Sequence, residues 1–174
     1  GRQLVDPSLA DRVAAVLEAC GLEASSLKLE ITESVLIQNL KEAIATIERL
    51  KELGVMIHID DFGTGYSSLS YIQRLPVDAI KIDRSFISGS DELLNRDELL
   101  KSIIQLAQSL GLNAIAEGVE TDLQLERLKE LDCPYGQGYY ICRPMPPEAA
   151  EALLQGSSKN TPQTVKMQIP SIAP

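Results

Sequence analysis

The chain has 174 residues, is 44% hydrophobic and carries a formal net charge of −9 at pH 7. This length suits one domain with a sizeable core, and no apolar run reaches the roughly 18 residues of a membrane-spanning helix. The negative charge argues against a broad, sequence-independent grip on DNA or RNA. Three cysteines without a CxxC pair favour a reducing cytoplasm over a disulfide framework.

The predicted elements of the first half alternate between helices and short strands. Apolar spacing predicts helices over residues 8–19 and 35–53, strands over 27–32 and 55–61, and a short helix over 66–73. Gly21 and Gly54 follow the two longer helices and are suitable helix stops.

The second half continues the same alternation. We predict strands over residues 79–83, 113–117 and 135–142, and helices over 91–110, 122–131 and 147–154. Thr121 is the expected N-cap of the middle helix. Strict alternation predicts a parallel sheet, either open or closed into a barrel, within one domain over 1–154. The polar residues 155–174 are expected to be a disordered tail.

Polar side chains gather where the predicted strands end, and such ends share one edge of a parallel sheet. They are Glu30, Glu33, Asp60, Asp61, Lys81, Asp83, Glu117, Glu120 and Gln137. Several carboxylates and one lysine are the ingredients of a metal-assisted phosphoryl site. Because the chain has a single histidine, the metal ligands would be mainly oxygen, which favours Mg²⁺ or Mn²⁺ with Ca²⁺ as a competitor.

Each of these residues also has an ordinary structural interpretation. An acid at a strand end is more often a helix cap or a solvated turn. Lys81 within an apolar strand is less ordinary, because burying an unpaired ammonium is costly. The adjacent carboxylates of Asp60 and Asp61 repel each other unless a cation neutralises them or one stays protonated. His58 alternates with Asp60, and we expect it to be a packed core residue rather than a ligand.

Six segments of the sequence together resemble the EAL-domain phosphodiesterases of bacterial cyclic di-GMP signalling. They are LEITE (29–33), DDFGTGYSSL (60–69), LPVD (75–78), KIDRSF (81–86), AEGVET (116–121) and QGY (137–139). The resemblance runs from about residue 2 to 154 and implies an α/β fold, the (β/α)8 TIM-barrel-like EAL fold. The Glu-Ala-Leu motif of an early strand is absent, so we expect an incomplete barrel whose first strands are missing, in a fragment or a natural truncation.

The resemblance also implies roles for individual residues. The family hydrolyses cyclic di-GMP to pGpG at a two-metal site with Mg²⁺ or Mn²⁺. By motif, the metal ligands correspond to Glu30, Asp60, Asp61 and Glu117, and the catalytic residues to Lys81, Asp61 and Glu117. Substrate or outer-shell contacts fall to Asp83, Gln137 and Glu120, the loop anchor to Glu33, and the regulatory loop to Phe62, Gly63, Thr64 and Gly65.

The same resemblance implies partners and leaves alternatives open. The expected partners are cyclic di-GMP, a second copy in a homodimer, and an upstream sensory or GGDEF domain, with no DNA or RNA. The expected location is the cytoplasm, with membrane anchoring through upstream regions as a variant. Alternatives are a catalytically inactive EAL module that binds cyclic di-GMP or a protein, and a fragment that associates through unpaired strand edges.

Overall fold

The computed structural model describes residues 3–38, 40–64, 72–88 and 93–156. The chain divides into two compact units, Gly1–Lys81 and Ile82–Pro174. Both contain helices and parallel strands, so the predicted mixed α/β class is confirmed. In the described part of the chain, no helix is both long and apolar enough to cross a lipid bilayer.

The first unit holds three helices and the strands that carry most of the predicted site. Its elements are α1 (Leu9–Cys20), a 3₁₀ turn (Ala24–Ser26), β1 (Lys28–Thr32), α2 (Glu33–Gln38), α3 (Leu40–Glu52), β2 (Met56–Phe62) and β3 (Ala79–Ile82), whose last residue opens the next unit. Gly21 ends α1 in the left-handed conformation, as its position in the sequence predicts.

One prediction for this unit needs revision, and another lies largely outside the described residues. The helix predicted over 35–53 begins earlier, at Glu33, directly after β1, and is described on either side of residue 39 as α2 and α3. The short helix predicted over 66–73 falls largely on residues 65–71, outside the described residues. The core of the unit forms where α3 packs its Ile47 and Leu50 stripe near the buried Ile57 and Ile59 of β2.

Strands β1 and β2 are parallel neighbours with a fixed register. Glu30 lies opposite His58, and Thr32 lies opposite Asp60. The next strand in the sheet order, β3, is buried along its whole length. Because alternate side chains of a strand share a face, this register places the chemistry-bearing residues of β1 and β2 on a common side.

The second unit is built around two parallel strands. Its elements are a 3₁₀ turn (Arg84–Phe86), α4 (Leu93–Ser109), β4 (Asn113–Glu117), α5 (Asp122–Glu130), β5 (Tyr135–Gln137) and α6 (Pro147–Gly156). Its core includes Ile104, Ala114 and Leu128. Thr121 caps α5 in a reciprocal capping box with Gln124, which confirms the predicted N-cap.

Two strand boundaries in this part of the chain were predicted wrongly. The strand predicted over 79–83 ends at Ile82, because the Asp83 side chain instead caps the following 3₁₀ turn. The strand predicted over 135–142 ends at Gln137, since the chain turns there and Ile141 and Cys142 donate back to the Gly138 carbonyl. Helix α6 runs to Gly156, and the predicted tail beyond it lies outside the described residues.

Candidate active site

A buried lysine joins two carboxylates in the first unit. The Lys81 ammonium lies 2.7 Å from Glu30 Oε2 and 3.0 Å from Asp60 Oδ1. The Lys81 side chain is 5% exposed, whereas those of Glu30 and Asp60 are 45% and 23% exposed. The lysine is therefore the enclosed member of the cluster, and its two partners reach towards solvent.

This arrangement follows from the strands that carry the three residues. Glu30 and Asp60 share a face because Glu30 lies opposite His58, two residues before Asp60 on β2. Removing an ammonium from water costs free energy unless the group is paired and hydrogen-bonded. Two charge-assisted contacts meet that requirement and fix the direction of the Lys81 side chain.

Asp61 follows in an unusual backbone conformation. Its φ of 54° lies in the left-handed region, which a non-glycine residue adopts at a cost of about 1 kcal/mol or more. The Thr64 hydroxyl donates to the Asp61 carbonyl at 2.9 Å and holds the turn. Oxygens of Asp60 and Asp61 lie within 4.8 Å of each other. The turn thus keeps two like charges close together.

The start of the predicted regulatory loop is tied to α2. Glu33 is 2% exposed, and its Oε2 accepts a hydrogen bond from the Gly63 N–H at 3.4 Å. Phe62, the residue before Gly63, is buried, and Thr64 closes the turn described above. Gly65 lies outside the described residues. The buried carboxylate thus links the segment after Asp61 to the helix that follows β1.

The donor set of the first unit fits a hard divalent cation. Glu30, Asp60 and Asp61 offer only carboxylate oxygens, the ligands that Mg²⁺ and Mn²⁺ prefer. Three carboxylates against the single Lys81 ammonium also leave an excess of negative charge. A cation would offset this excess, whereas a soft thiolate site would need cysteines that this cluster does not contain.

His58 belongs to the core beneath this cluster. It is 5% exposed, and burial is the main cause that lowers its pKa, with a smaller contribution from Lys28. A lowered pKa keeps the imidazole neutral at neutral pH. The expectation of a packed core histidine agrees with its burial.

In the second unit, Glu117 and Gln137 are direct neighbours across the β4–β5 ladder. Both are the last residues of their strands. The Val119 N–H donates to the Gln137 carbonyl at 3.0 Å, and the Tyr140 N–H donates to the Val119 carbonyl at 2.9 Å. The segments beyond the two strands therefore stay paired and hold the strand ends side by side.

Two glycines make that close approach possible. A Cβ on Gly118 would lie 2.5 Å from Arg84 Cβ, and φ at Gly118 is +72°. A Cβ on Gly138 would lie 2.1 Å from the Val119 carbonyl oxygen, which is main chain and cannot rotate away. Both glycines directly follow the candidate site residues of their strands.

Comparison with known proteins identifies the family. The sequence matches the model of the EAL domain over residues 1–144. The chain belongs to the EAL-domain family.

Relatives and solved structures agree with this assignment. The EAL chain is 50% identical over 148 residues to the cyclic di-GMP phosphodiesterase NbdA of Pseudomonas aeruginosa, covering 85% of the chain and 19% of NbdA. It matches the MucR phosphodiesterase in its cyclic di-GMP complex with a TM-score of 0.80 and 42% identity, covering 85% of this chain and 60% of that one. The EAL domain of Mycobacterium smegmatis DcpA gives a TM-score of 0.82 and 38% identity, with 88% and 69% covered.

These neighbours place the EAL chain in the TIM-barrel-like fold class, as the sequence predicts. The chain spans less than two thirds of NbdA and of the MucR structure.

In the first unit of the EAL domain, several of the predicted site residues come together. Glu30, Asp60 and Lys81 meet directly, and Asp61 adjoins them. Asp83 caps the 3₁₀ turn that follows β3. Hydrogen bonds from Ser85, of which the one from its hydroxyl has the largest effect, lower the pKa of the Asp83 carboxyl. The exposed Glu120 donates its backbone N–H to Gln124 Oε1 at 2.7 Å, next to the start of α5.

One residue that contacts this site's strands received no predicted role. Asp78 occurs in the LPVD segment, and its carboxylate contacts both α3 and β2. A carboxylate immediately before an apolar strand is a signal that sequence reasoning could have used, but its partners are separated from it by 21 and 27 residues. Only the folded chain identifies them.

Proposed function

We propose that this EAL domain is the catalytic part of a phosphodiesterase that hydrolyses cyclic di-GMP to linear pGpG with Mg²⁺ or Mn²⁺. The observation that carries the proposal is the buried Lys81 ammonium between Glu30 and Asp60. The family and the names of NbdA and MucR support the choice of substrate.

The geometry suggests separate tasks for the residues of the first unit. Glu30, Asp60 and Asp61 would hold the cation, and Glu117 is added as a further ligand on the motif alone. A bound divalent cation polarises a phosphoryl oxygen and lowers the pKa of water. Without such a cation, the excess of carboxylates would repel an anionic phosphodiester.

Lys81 would act as a fixed positive charge near the reacting phosphate. Its ammonium is held by two carboxylates and is largely shielded from water, which strengthens its electrostatic effect. In this position it can donate a hydrogen bond to the attacking water and orient it. Asp61 would accept a proton from that water, Gln137 and Glu120 would contact substrate, and Asp83 would support the surrounding shell.

The remaining predictions on assembly belong to the same proposal. Glu33 would anchor the segment 62–65, through which dimer formation would influence the cation ligands. A homodimer and an upstream sensory or GGDEF domain are proposed as partners of the whole protein. The name of MucR, a bifunctional diguanylate cyclase and cyclic di-GMP phosphodiesterase, is consistent with the second of these.

The test is turnover by the full-length protein. Purified protein is incubated with cyclic di-GMP and Mg²⁺ or Mn²⁺ from neutral to alkaline pH, and nucleotides are separated by chromatography. We expect pGpG to accumulate, chelation by EDTA to stop its formation, and Asp60→Asn to abolish it. Failure to turn over with either metal across this pH range would contradict the proposal.

Calorimetry with cyclic di-GMP distinguishes the alternative function. Binding without turnover would identify a catalytically inactive EAL module that senses the nucleotide. Absence of both binding and turnover would leave a protein-binding role, which the cyclic di-GMP complex of the relative MucR does not favour.

A further inference from the structure

Asp78 clamps one residue of β2 from both sides. The Asp78 N–H donates to the Ile57 carbonyl at 2.8 Å, and the Ile57 N–H donates to Asp78 Oδ2 at 2.7 Å. One residue thus satisfies both backbone groups of Ile57, using its own main chain and its side chain. Such a clamp requires a short side chain with an acceptor oxygen at this position.

Helix α3 holds the Asp78 side chain in place. The Lys51 ammonium lies 2.6 Å from Asp78 Oδ1 and 2.7 Å from Oδ2. Both side chains are less than one-third exposed, so solvent only partly screens this pair. The carboxylate is fixed between the helix and the strand.

The Asp78–Ile57 clamp and the Asp60–Lys81 contact are separated by the same number of residues on both strands. Asp60 lies three residues after Ile57, Lys81 lies three residues after Asp78, and the side chains of Asp60 and Lys81 meet at 3.0 Å. Equal advance along both chains is the pattern of parallel strands. A slip of one residue would turn Lys81 to the opposite face, away from both carboxylates.

The side chains of β3 other than Lys81 carry no polar group that could specify its register on β2. β3 contains four residues, and the three besides Lys81 are apolar. An apolar face specifies which side is buried, whereas a hydrogen-bonding clamp specifies which residue pairs with which. The burial of Lys81 makes this register important, because a displaced ammonium would lose its partners.

We propose that Asp78 is a positioning residue that sets the register of β3 on β2 and thereby holds the Lys81 ammonium against Asp60. Its effect on lysine position stands on the contacts alone, and its effect on turnover rests on the proposed function. Lys51 stabilises the clamp but does not define the register.

The first measurement needs no activity. The full-length protein is treated with formaldehyde and a borohydride reductant, and methylation of each lysine is followed by mass spectrometry. We expect Lys81 to be protected in the wild type, in Lys51→Met and in Asp78→Asn, whose amide oxygen still accepts from Ile57. In Asp78→Ala, Lys81 methylation should rise at least roughly tenfold, as expected for a misplaced side chain.

The second measurement is steady-state turnover of cyclic di-GMP by the same proteins below their melting temperatures. Asp78→Ala should lower kcat roughly tenfold to a hundredfold with little change in KM. The reason is that the substitution displaces the Lys81 ammonium but leaves the substrate-binding surface unchanged. Asp78→Asn should restore most of kcat, and Lys51→Met should leave it near the wild-type value while lowering the melting temperature.

Three results would overturn the proposal. One is folded Asp78→Ala with a protected Lys81, another is Asp78→Asn behaving like Asp78→Ala, and the last is Lys51→Met exposing Lys81 as strongly as Asp78→Ala. If Asp78→Ala does not fold, Asp78→Glu replaces it: the longer side chain keeps a charge for Lys51 but cannot clamp Ile57 without displacing the strand. A folded Asp78→Glu with protected Lys81 and wild-type kcat would equally overturn the proposal. If the wild type proves inactive, the methylation result still decides the role of Asp78.

Discussion

The two units of the chain fix their candidate site residues by different physical means. In the first unit, opposite charges hold Glu30, Asp60 and Lys81 together. In the second unit, Glu117 and Gln137 are neighbours in a backbone ladder that continues beside glycines with no room for a Cβ. The first arrangement should therefore be sensitive to charge, and the second to volume.

The largest expected effect follows from removing the central charge of the first unit. Lys81→Met should lower kcat for cyclic di-GMP at least about a thousandfold, since a preorganised charge at the phosphate is lost. It should also lower the melting temperature in metal-free buffer, because Glu30 and Asp60 then face each other without the ammonium. Mg²⁺ should recover part of that stability.

The matched control removes a lysine that has a comparable contact on the surface. Lys129 pairs with Glu126 at 3.0 Å, and both side chains are largely exposed. Lys129→Met should change neither turnover nor the melting temperature appreciably, as is usual for exposed pairs. Turnover by Lys81→Met within tenfold of wild type would contradict the assignment of Lys81.

In the second unit, added side-chain volume should affect stability more than a change of charge. Gly138→Ala places a methyl group 2.1 Å from the Val119 carbonyl oxygen, so the backbone must move, and we expect a loss of about 2–4 kcal/mol in the free energy of unfolding. Gly136→Ala, whose Cβ would have 3.5 Å to its nearest neighbour, is the control and should cost much less. Chemical denaturation measures both, and equal losses would refute the close-packing explanation.

The burial of the Cys133 thiol in the second unit can be tested at alkaline pH. Burial raises the pKa of this thiol from 9.0 to about 11, so the unfolded chain ionises first as the pH rises. The stabilising contribution is complete below pH 9 and is lost as the pH approaches 11, amounting to about 3 kcal/mol. The difference in unfolding free energy between wild type and Cys133→Ala should shrink over this interval, and a constant difference would argue against a buried thiol.

The smallest expected effect concerns the ends of helices. Thr121→Ala removes the reciprocal cap of α5 and should cost about 1 kcal/mol, seen as a lower melting temperature. Ser8→Ala at the start of α1 should cost less, because Ser8 makes no side-chain cap there. Equal shifts for the two variants would show that the capping box contributes nothing special.

The sequence predicted the type and order of most described elements because their signals are local. Glycine stops such as Gly21, the Thr121 cap and the apolar runs each act within a few residues. The boundaries at Ile82 and Gln137 were predicted wrongly because a side-chain cap and a backbone turn, which apolar alternation does not reveal, end those strands. Helical or extended preference alone does not record that the Asp83 carboxylate caps a turn or that Gly138 approaches Val119.

By itself, the sequence determined the family and the acidic, oxygen-rich chemistry of the site, because residue identity fixes charge and ligand type. Only the tertiary structure decided that Lys81 lies between Glu30 and Asp60 and that Asp78 clamps Ile57. Those contacts join residues 21 to 51 positions apart. Their geometry depends on strand register, which arises from the packing of the sheet rather than from any single segment.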